Sequence, residues 1–416
     1  MDNLHLLSPR GFRAAGVYAG IKSKQNPDVG LLVCESRATV AAVFTRNHVI
    51  AAPVKVGREH VADGRLRAVV VNAGNANACT GRQGEKDAYR MCDLAAGALG
   101  CDTRDVLPSS TGIIGHKLPM EKLERGILDA ATKLGDSREH ALLFADAILT
   151  TDTKRKAAAA SFKIGRETVT LAGVCKGSGM IGPRMALPTG GANLRRQSKA
   201  RPLHATMLAY LTTDAKVPAP LLRKLLGNAS DGSFNAVTVD DHVSTNDTAA
   251  LLASGLGPAI DSPRAAANFA AALSEVCQSL AYQIAADGEG ATKVVIVQVK
   301  GAASGVAAQA MARAIANSPL VKCAMHGNDP NWGRIVSAAG MAGVPFDPDR
   351  ATLTLQGTVV FRNGQPVEFD PTGVSQSLAA TEVKAELSCR MGKSDATVWT
   401  CDLSKDYVTI NADYHT

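Results

Sequence analysis

Unbroken apolar runs, stretches of helical period and turns rich in glycine or asparagine follow one another along most of the chain. "LRAVVVN" (66–72) is an apolar run that reads as a buried strand. It runs into the turn-rich "AGNANACTG". A helical period follows over 85–99, and "VLPSSTGIIG" then gives a short strand and a glycine-bearing loop. Thr206 to Ala215 is an apolar run that reads as a buried helix. Ser262 to Ala286 reads as a long alanine-rich helix, with Ser262 at the N-cap and Pro263 in first position. "TKVVIVQVKG" (292–301) is expected as a strand and 305–317 as another helix. From Ala351 onward the period shortens to two. "ATLTLQGTVVFRNGQPVEF" alternates around Asn363-Gly364, a hairpin signal, and "EVKAELSC", "ATVWTCDL" and "YVTINADYHT" continue as strands. The pattern predicts a large α/β body over 1–295 and a smaller C-terminal α+β domain over 296–416, whose tail returns to the body.

Composition sharpens this picture. Aromatics make up 4% of the 416 residues while Ala, Gly and Val abound, which favours layered α/β packing of small side chains. At 46% hydrophobic and 20% charged the chain has the balance of a soluble globular protein. The net charge is +7, and four of those charges, Arg195, Arg196, Lys199 and Arg201, fall in one acid-free stretch from Leu187 to His204. The excess is local and lacks interleaved aromatics, so no nucleic-acid partner is expected. Nine cysteines occur without a C-x-x-C pair, the pattern of scattered reduced thiols rather than a zinc or redox motif. The N-terminus has no signal-peptide pattern and no apolar run reaches the ~18 residues of a membrane span, so a cytoplasmic location and no membrane association are expected.

Few single motifs decide anything. "GKS" (392–394) has Leu387 where a phosphate loop needs glycine, and "GEGATK" (288–293) follows a helix and lacks dinucleotide spacing. No Ser-His-Asp triad can be assigned; His242 and His116 each read as loop histidines. "DPNWGRI" (329–335) reads as a structured loop. "CKGSGMI" offers backbone donors and the Lys176 ammonium to an anion, or is a tight turn. "STGIIG" (110–115) suits an oxyanion hole, or is another turn. Ala205-Thr206 is equally double-edged. Thr206 either starts a helix or, if the bond before it is cut, is an N-terminal nucleophile whose own α-amine serves as base.

In combination these segments resemble the ornithine acetyltransferase (glutamate N-acetyltransferase) family over nearly the whole length. The resemblance rests on "GFRAAGVYAGIK" (11–22), "VFTRNHVIAAPV" (43–54), "VNAGNANACTG" (71–81), "SSTGIIGHKLPM" (109–120), "AILTTDTKRK" (147–156), "KGSGMIGPRMA" (176–186), "ATMLAYLTTDA" (205–215), "SFNAVTVDDHVSTNDT" (233–248), "DGEGATK" (287–293), "GNDPNWGRI" (327–335) and "WTCDLSKDYVTINADYHT" (399–416).

The resemblance implies an αββα-type sandwich body and self-cleavage at Ala205-Thr206 into an α chain (1–205) and a β chain from 206, assembled as α2β2. Thr206 would be the nucleophile that takes acetyl from N2-acetylornithine and yields it to glutamate, in arginine biosynthesis. No cofactor is implied, although some members use acetyl-CoA as co-substrate. The oxyanion pair falls on Thr111 and Gly112. Substrate contacts fall on Thr153, Lys176, Thr206, Glu289, Asn411 and Thr416, and no metal is implied. The alternatives are an uncleaved, silent homologue that binds amino-acid ligands or a partner, and an N-terminal-nucleophile amidase. One departure bears on the choice: where the family runs from "P-x-M-A" straight into "T-M-L-A", this chain inserts the basic stretch Leu187 to Ala205 between Ala186 and Thr206.

Overall fold

The structure is a computed structural model that describes residues 4–188 and 206–413. Most of the basic insertion, Ala205 and Thr416 lie outside the described residues. Among those described, the chain forms fifteen strands and eleven α-helices and is a mixed α/β protein, as the sequence predicts. It divides into two compact units, Met1–Asn235 with Val243–Leu280 and Ala236–His242 with Ala281–Thr416.

The first unit carries a nine-stranded mixed sheet: β1 (Phe12–Val17), β2 (Val29–Thr45), β3 (Arg65–Asn75), β4 (Val106–Ile113), β5 (Lys156–Ile164), β6 (Glu167–Lys176), β7 (Met185–Ala186), β8 (Leu208–Thr213) and β9 (Thr248–Ala253). The main path runs β4-β3-β2-β9-β8-β6-β5, with β1 and β7 each paired to β2. Its helices are α1 (Ala52–His60), α2 (Gly81–Leu99), α3 (Met120–Thr132), α4 (Arg138–Ala147), α5 (Ala219–Asp231) and most of α6 (Pro263–Ala286). The long β2 joins the two halves of the sheet. Its first part pairs with β3 over Val29–Val33 and its second with β9 over Thr39–Phe44, with a register irregularity between Val33 and Ala38. Alternate residues then serve two cores. Leu32, Val69 and Val71 join Phe44, Leu208, Tyr210 and Leu252 in one, while Leu31, Val33, Ala68 and Val70 pack with Met91, Ala95, Leu123 and Ile127 of α2 and α3 in the other. This double burial is why "LRAVVVN" shows no alternation.

Thr206 to Ala215 holds strand β8, not the expected helix. β8 is buried at every position, antiparallel to β6 and parallel to β9. A short run buried on both sides has no period that separates strand from helix, and here neighbouring strands on both edges satisfy its backbone.

The second unit has a six-stranded sheet ordered β13-β12-β11-β14-β10-β15, from β10 (Val294–Ala302), β11 (Thr352–Leu355), β12 (Thr358–Arg362), β13 (Gln365–Pro366), β14 (Glu382–Ser388) and β15 (Ser394–Cys401). Helices α7 (Gly305–Asn317), α8 (Pro319–His326), α9 (Trp332–Gly340), α10 (Pro371–Leu378) and α11 (Lys405–Asp413) complete it. Its core joins Val295, Val297 and Leu387 to Met311 and Ile315 of α7. The chain turns at Asn363-Gly364 as expected, both with positive φ, at 51° and 78°. A second tight turn, Gln356-Gly357, splits the segment before it into β11 and β12.

Three further expectations shift. "DPNWGRI" is only partly loop: Asn331 caps α9, its side chain accepting from the Arg334 amide, and Trp332 opens the helix. Of "YVTINADYHT", the described residues up to Asp413 lie in helix α11 rather than a strand, initiated where the Ser404 hydroxyl accepts from the Asp406 amide. Its β-branched residues mislead because no sheet edge receives them. The junction expected at residue 295 falls inside α6, after Leu280. Ala236–His242 joins the second unit because the Thr238 amide donates to the Trp399 carbonyl (2.9 Å), extending the sheet beside β15.

Candidate active site

The strand ends of the first unit place its candidate residues. β8 and β9 are parallel, with Leu208 opposite Thr248, so the segments that lead into them lie side by side. The Met207 amide donates to Asp247 Oδ1 (3.0 Å) and thereby fixes the backbone just after Thr206. Thr206 is 2% exposed, and its Oγ1 lies 2.9 Å from Ser244 Oγ. Ser244 Oγ also accepts from the Asn246 amide (3.1 Å), and either hydroxyl can donate in the contact between Ser244 and Thr206.

Asn246 connects this corner to the end of β3 and to β4. Its buried Nδ2 donates to the carbonyls of Ala76 (2.7 Å) and Ser110 (2.9 Å). Ser110 is the residue before Thr111-Gly112, at the end of β4. There β4 runs parallel to β3, and Gly112 is paired with Gly74. Gly112 has φ +128°, and a Cβ on it would lie 2.3 Å from the Gly74 carbonyl carbon. Only glycine fits on both counts. The Thr111 hydroxyl is fully buried and has no hydrogen-bond partner among the described residues. The asparagines of "NAGNANA" are structural: Asn72 accepts from the Ser110 hydroxyl (2.6 Å), and Asn75 donates to the carbonyls of His116 and Lys117.

Lys176 ends β6 directly opposite Leu208, two residues beyond Thr206. It is completely buried. Its ammonium donates to Thr150 Oγ1 (2.7 Å) and lies 3.6 Å from Asp152. Asp152 also binds Lys156 (2.7 Å) and accepts from the Gly177 amide (2.6 Å). Burial pushes the Asp152 carboxyl upward, but Lys176 and Lys156 outweigh it and hold the group well below the usual carboxylate range. Thr153 sits in the same loop, on the surface.

Glu289 and Asn411 belong to the second unit and meet there. Asn411 Nδ2 donates to Glu289 Oε2 (2.9 Å), and Glu289 is 7% exposed. The tail thus returns to the segment that follows α6. Gly290 makes this possible: its φ is +70°, and a Cβ there would lie 2.4 Å from the Tyr407 amide nitrogen of α11. The other end of α11's approach is tied by Ser404 Oγ donating to the Gly290 carbonyl (2.6 Å).

Sequence reasoning did not find Ser244, Asn246, Asp247, Asp152 or Lys156. "STNDT" carries the signal, five polar residues directly before an apolar run. His116 and His242 stay in loops. Among the described residues no group of three or more His, Cys, Asp or Glu is placed to hold a metal ion, and no helix is long and apolar enough to cross a membrane.

The sequence profile of the ArgJ family matches residues 13–416. The chain belongs to the ArgJ family. It is 42% identical to the arginine biosynthesis bifunctional protein ArgJ of Rhodopirellula baltica, over 99% of this chain and 97% of that one. It is 45% identical to the ArgJ protein of Symbiobacterium thermophilum, over 98% of each. Among solved structures, an ArgJ chain from Bacillus halodurans is 43% identical, with TM-score 0.43, covering 45% of this chain and 96% of that one. A chain of the Mycobacterium tuberculosis ornithine acetyltransferase, complexed with ornithine, is 36% identical, with TM-score 0.41 and coverage of 45% and 98%. As an ArgJ protein the chain is an acyltransferase of arginine biosynthesis.

Proposed function

We propose that this ArgJ protein cuts itself at Ala205-Thr206 and then carries acetyl from N2-acetyl-L-ornithine to L-glutamate on Thr206. The observation that supports it best is the link from Thr206 Oγ1 through Ser244 and Asn246 to Ser110, next to the unpartnered Thr111 hydroxyl. A nucleophile and oxyanion donors must be held in fixed relation, and buried hydrogen bonds do that.

After the cut, the Thr206 α-amine accepts the Oγ proton as Oγ attacks the acetyl carbonyl. Negative charge develops on the carbonyl oxygen, to be met by the Thr111 hydroxyl and the Gly112 amide. The C–N bond breaks, the proton passes to the leaving amine, and ornithine departs with acetyl held on Thr206 as an ester. The amine of glutamate attacks that ester and reverses the steps. Lys176 is assigned to the substrate α-carboxylate and Thr153 to a neighbouring polar contact. Glu289, braced by Asn411, is assigned to the ornithine side-chain ammonium. Thr416 belongs to the same substrate set. The exchange needs no cofactor; acetyl-CoA would fill the same ester as a second donor. The expected assembly is α2β2.

Intact mass after expression tests the cut: two chains from the wild type, and one chain of 43.2 kDa from Thr206→Ala. An acetylornithine–glutamate exchange assay tests the chemistry, with acetyl-CoA as separate donor. A single wild-type chain without exchange would favour the silent homologue, and acetylornithine hydrolysis without transfer the amidase. Deleting Leu187 to Ala205, so that Ala186 meets Thr206, then tells whether the insertion blocks the cut.

A further inference from the structure

The Asn246 carboxamide grips the Thr111-Gly112 turn from both sides. The residue is 1% exposed, and every polar atom of its side chain is taken up. Its Nδ2 donates to two carbonyls, those of Ala76 (2.7 Å) and Ser110 (2.9 Å), while Oδ1 accepts from the Thr245 hydroxyl. Carbonyl oxygens only accept, so the amide has one workable orientation, with both N–H groups toward Ala76 and Ser110. The main chain of Asn246 is held on the nucleophile side. Its amide donates to Ser244 Oγ (3.1 Å), the atom beside Thr206 Oγ1, and its carbonyl accepts from the Thr248 hydroxyl (3.0 Å).

The two carbonyls bracket the turn. The Ser110 carbonyl belongs to the same planar peptide unit as the Thr111 amide, so holding its oxygen fixes the plane from which Thr111 departs. On the far side the Ala76 amide donates to the carbonyl of Ile113 (2.8 Å), the residue after Gly112. One side chain therefore holds the chain before Thr111 directly and the chain after Gly112 through Ala76. Between these points the buried Thr111 hydroxyl has no hydrogen-bond partner among the described residues. Its direction follows from the backbone and the stiff threonine rotamer alone.

We propose that Asn246 is a positioning residue for acetyl transfer: its carboxamide touches no substrate, and it sets the Thr111 hydroxyl and the Gly112 amide where the oxyanion forms, in register with Thr206. The inference rests on the proposed function and goes beyond it by assigning the placement of the oxyanion donors to one side chain. Donors that are shifted slightly still admit the substrate carbonyl but meet the developing charge poorly, so the loss falls on kcat rather than KM.

Asn246→Asp replaces the donor group by an acceptor oxygen at unchanged size, against two carbonyls. Asn246→Ser shortens the side chain and leaves room for water to serve both carbonyls, so it folds where the aspartate variant does not. Both are compared with wild type, with Thr111→Ala and with the double variant Asn246→Asp/Thr111→Ala. The measurement is acetylornithine–glutamate exchange per cut chain, with cut chains counted by intact mass. Asn246→Asp should lower kcat about a hundredfold and leave KM for both substrates within about twofold. Asn246→Ser should show the same split at smaller size. In the Thr111→Ala background the aspartate change should cost less than about tenfold, because the hydroxyl that Asn246 places is already gone. A general loss of stability would cost the same factor in both backgrounds. With wild type exchanging acetyl, an unchanged kcat, a raised KM with kcat kept, or equal costs in the two backgrounds overturns this inference alone. A folded variant that fails to cut places Asn246 at the cut rather than at transfer and overturns it as well. A wild type without exchange overturns the proposed function and this inference with it.

Discussion

Thr206 Oγ1 and Ser244 Oγ are 2.9 Å apart, both buried, at the entries of two parallel neighbouring strands. The Asn246 amide donates to Ser244 Oγ (3.1 Å) and fixes that oxygen beside Thr206. This holds the threonine oxygen in place before and after any cut, because neither contact involves the Thr206 nitrogen.

Ser244→Ala should therefore lower kcat/KM for acetyl exchange by about tenfold to a hundredfold, the effect of one buried hydrogen bond lost at the nucleophile. KM should change little. Steady-state kinetics together with intact mass will separate an effect on transfer from an effect on chain cleavage.

Gly112→Ala meets two obstacles, a φ of +128° and a Cβ 2.3 Å from the Gly74 carbonyl carbon. Exchange should be abolished, with a loss of stability above about 2 kcal/mol in chemical denaturation. Normal stability and activity in this variant would mean that the turn is not as close-packed as the β3–β4 pairing requires.

Asp152→Asn removes the carboxylate between Lys156 and Lys176 and leaves both buried ammoniums without it. Breaking such a buried pair costs about 3–5 kcal/mol, so the variant should melt well below wild type at pH 7. The pH dependence has a definite sign. The folded carboxyl is held below its unfolded value, so its contribution is fully present above about pH 4 and is lost as pH falls through the folded value. Wild-type stability should decline on acidification below that point, and the variant should show a shallower decline. Thermal shift from pH 7 to pH 3 measures both.

Gly290→Val places a branched side chain where the Tyr407 amide nitrogen lies 2.4 Å from even a Cβ. α11 should come away from its seat in the second unit while the sheet core around Val297 and Leu387 stays folded. Limited proteolysis should then cut faster within 405–413, with the far-ultraviolet circular dichroism largely kept.

Much was legible along the chain. The strand at 66–72, the helices at 262–286 and 305–317 and the turn at Asn363-Gly364 follow from period, capping and turn chemistry, all of which are local. The family could be read from ordered motifs that span nearly the whole length. What failed did so at places where local information is silent. β8 lacks any period because it is buried on both faces. α11 carries β-branched residues yet finds no strand to pair with, and docks instead on Gly290.

By itself, the sequence determined the α/β class, the family and the need for glycine at Gly112, because ordered motifs and close backbone approach constrain residue identity locally. Only the tertiary structure decided which polar groups meet. Ser244 reaches Thr206 because β8 and β9 run parallel, and Asn246 reaches Ser110 across 136 positions of chain. Such contacts depend on strand order and register, which no local pattern encodes.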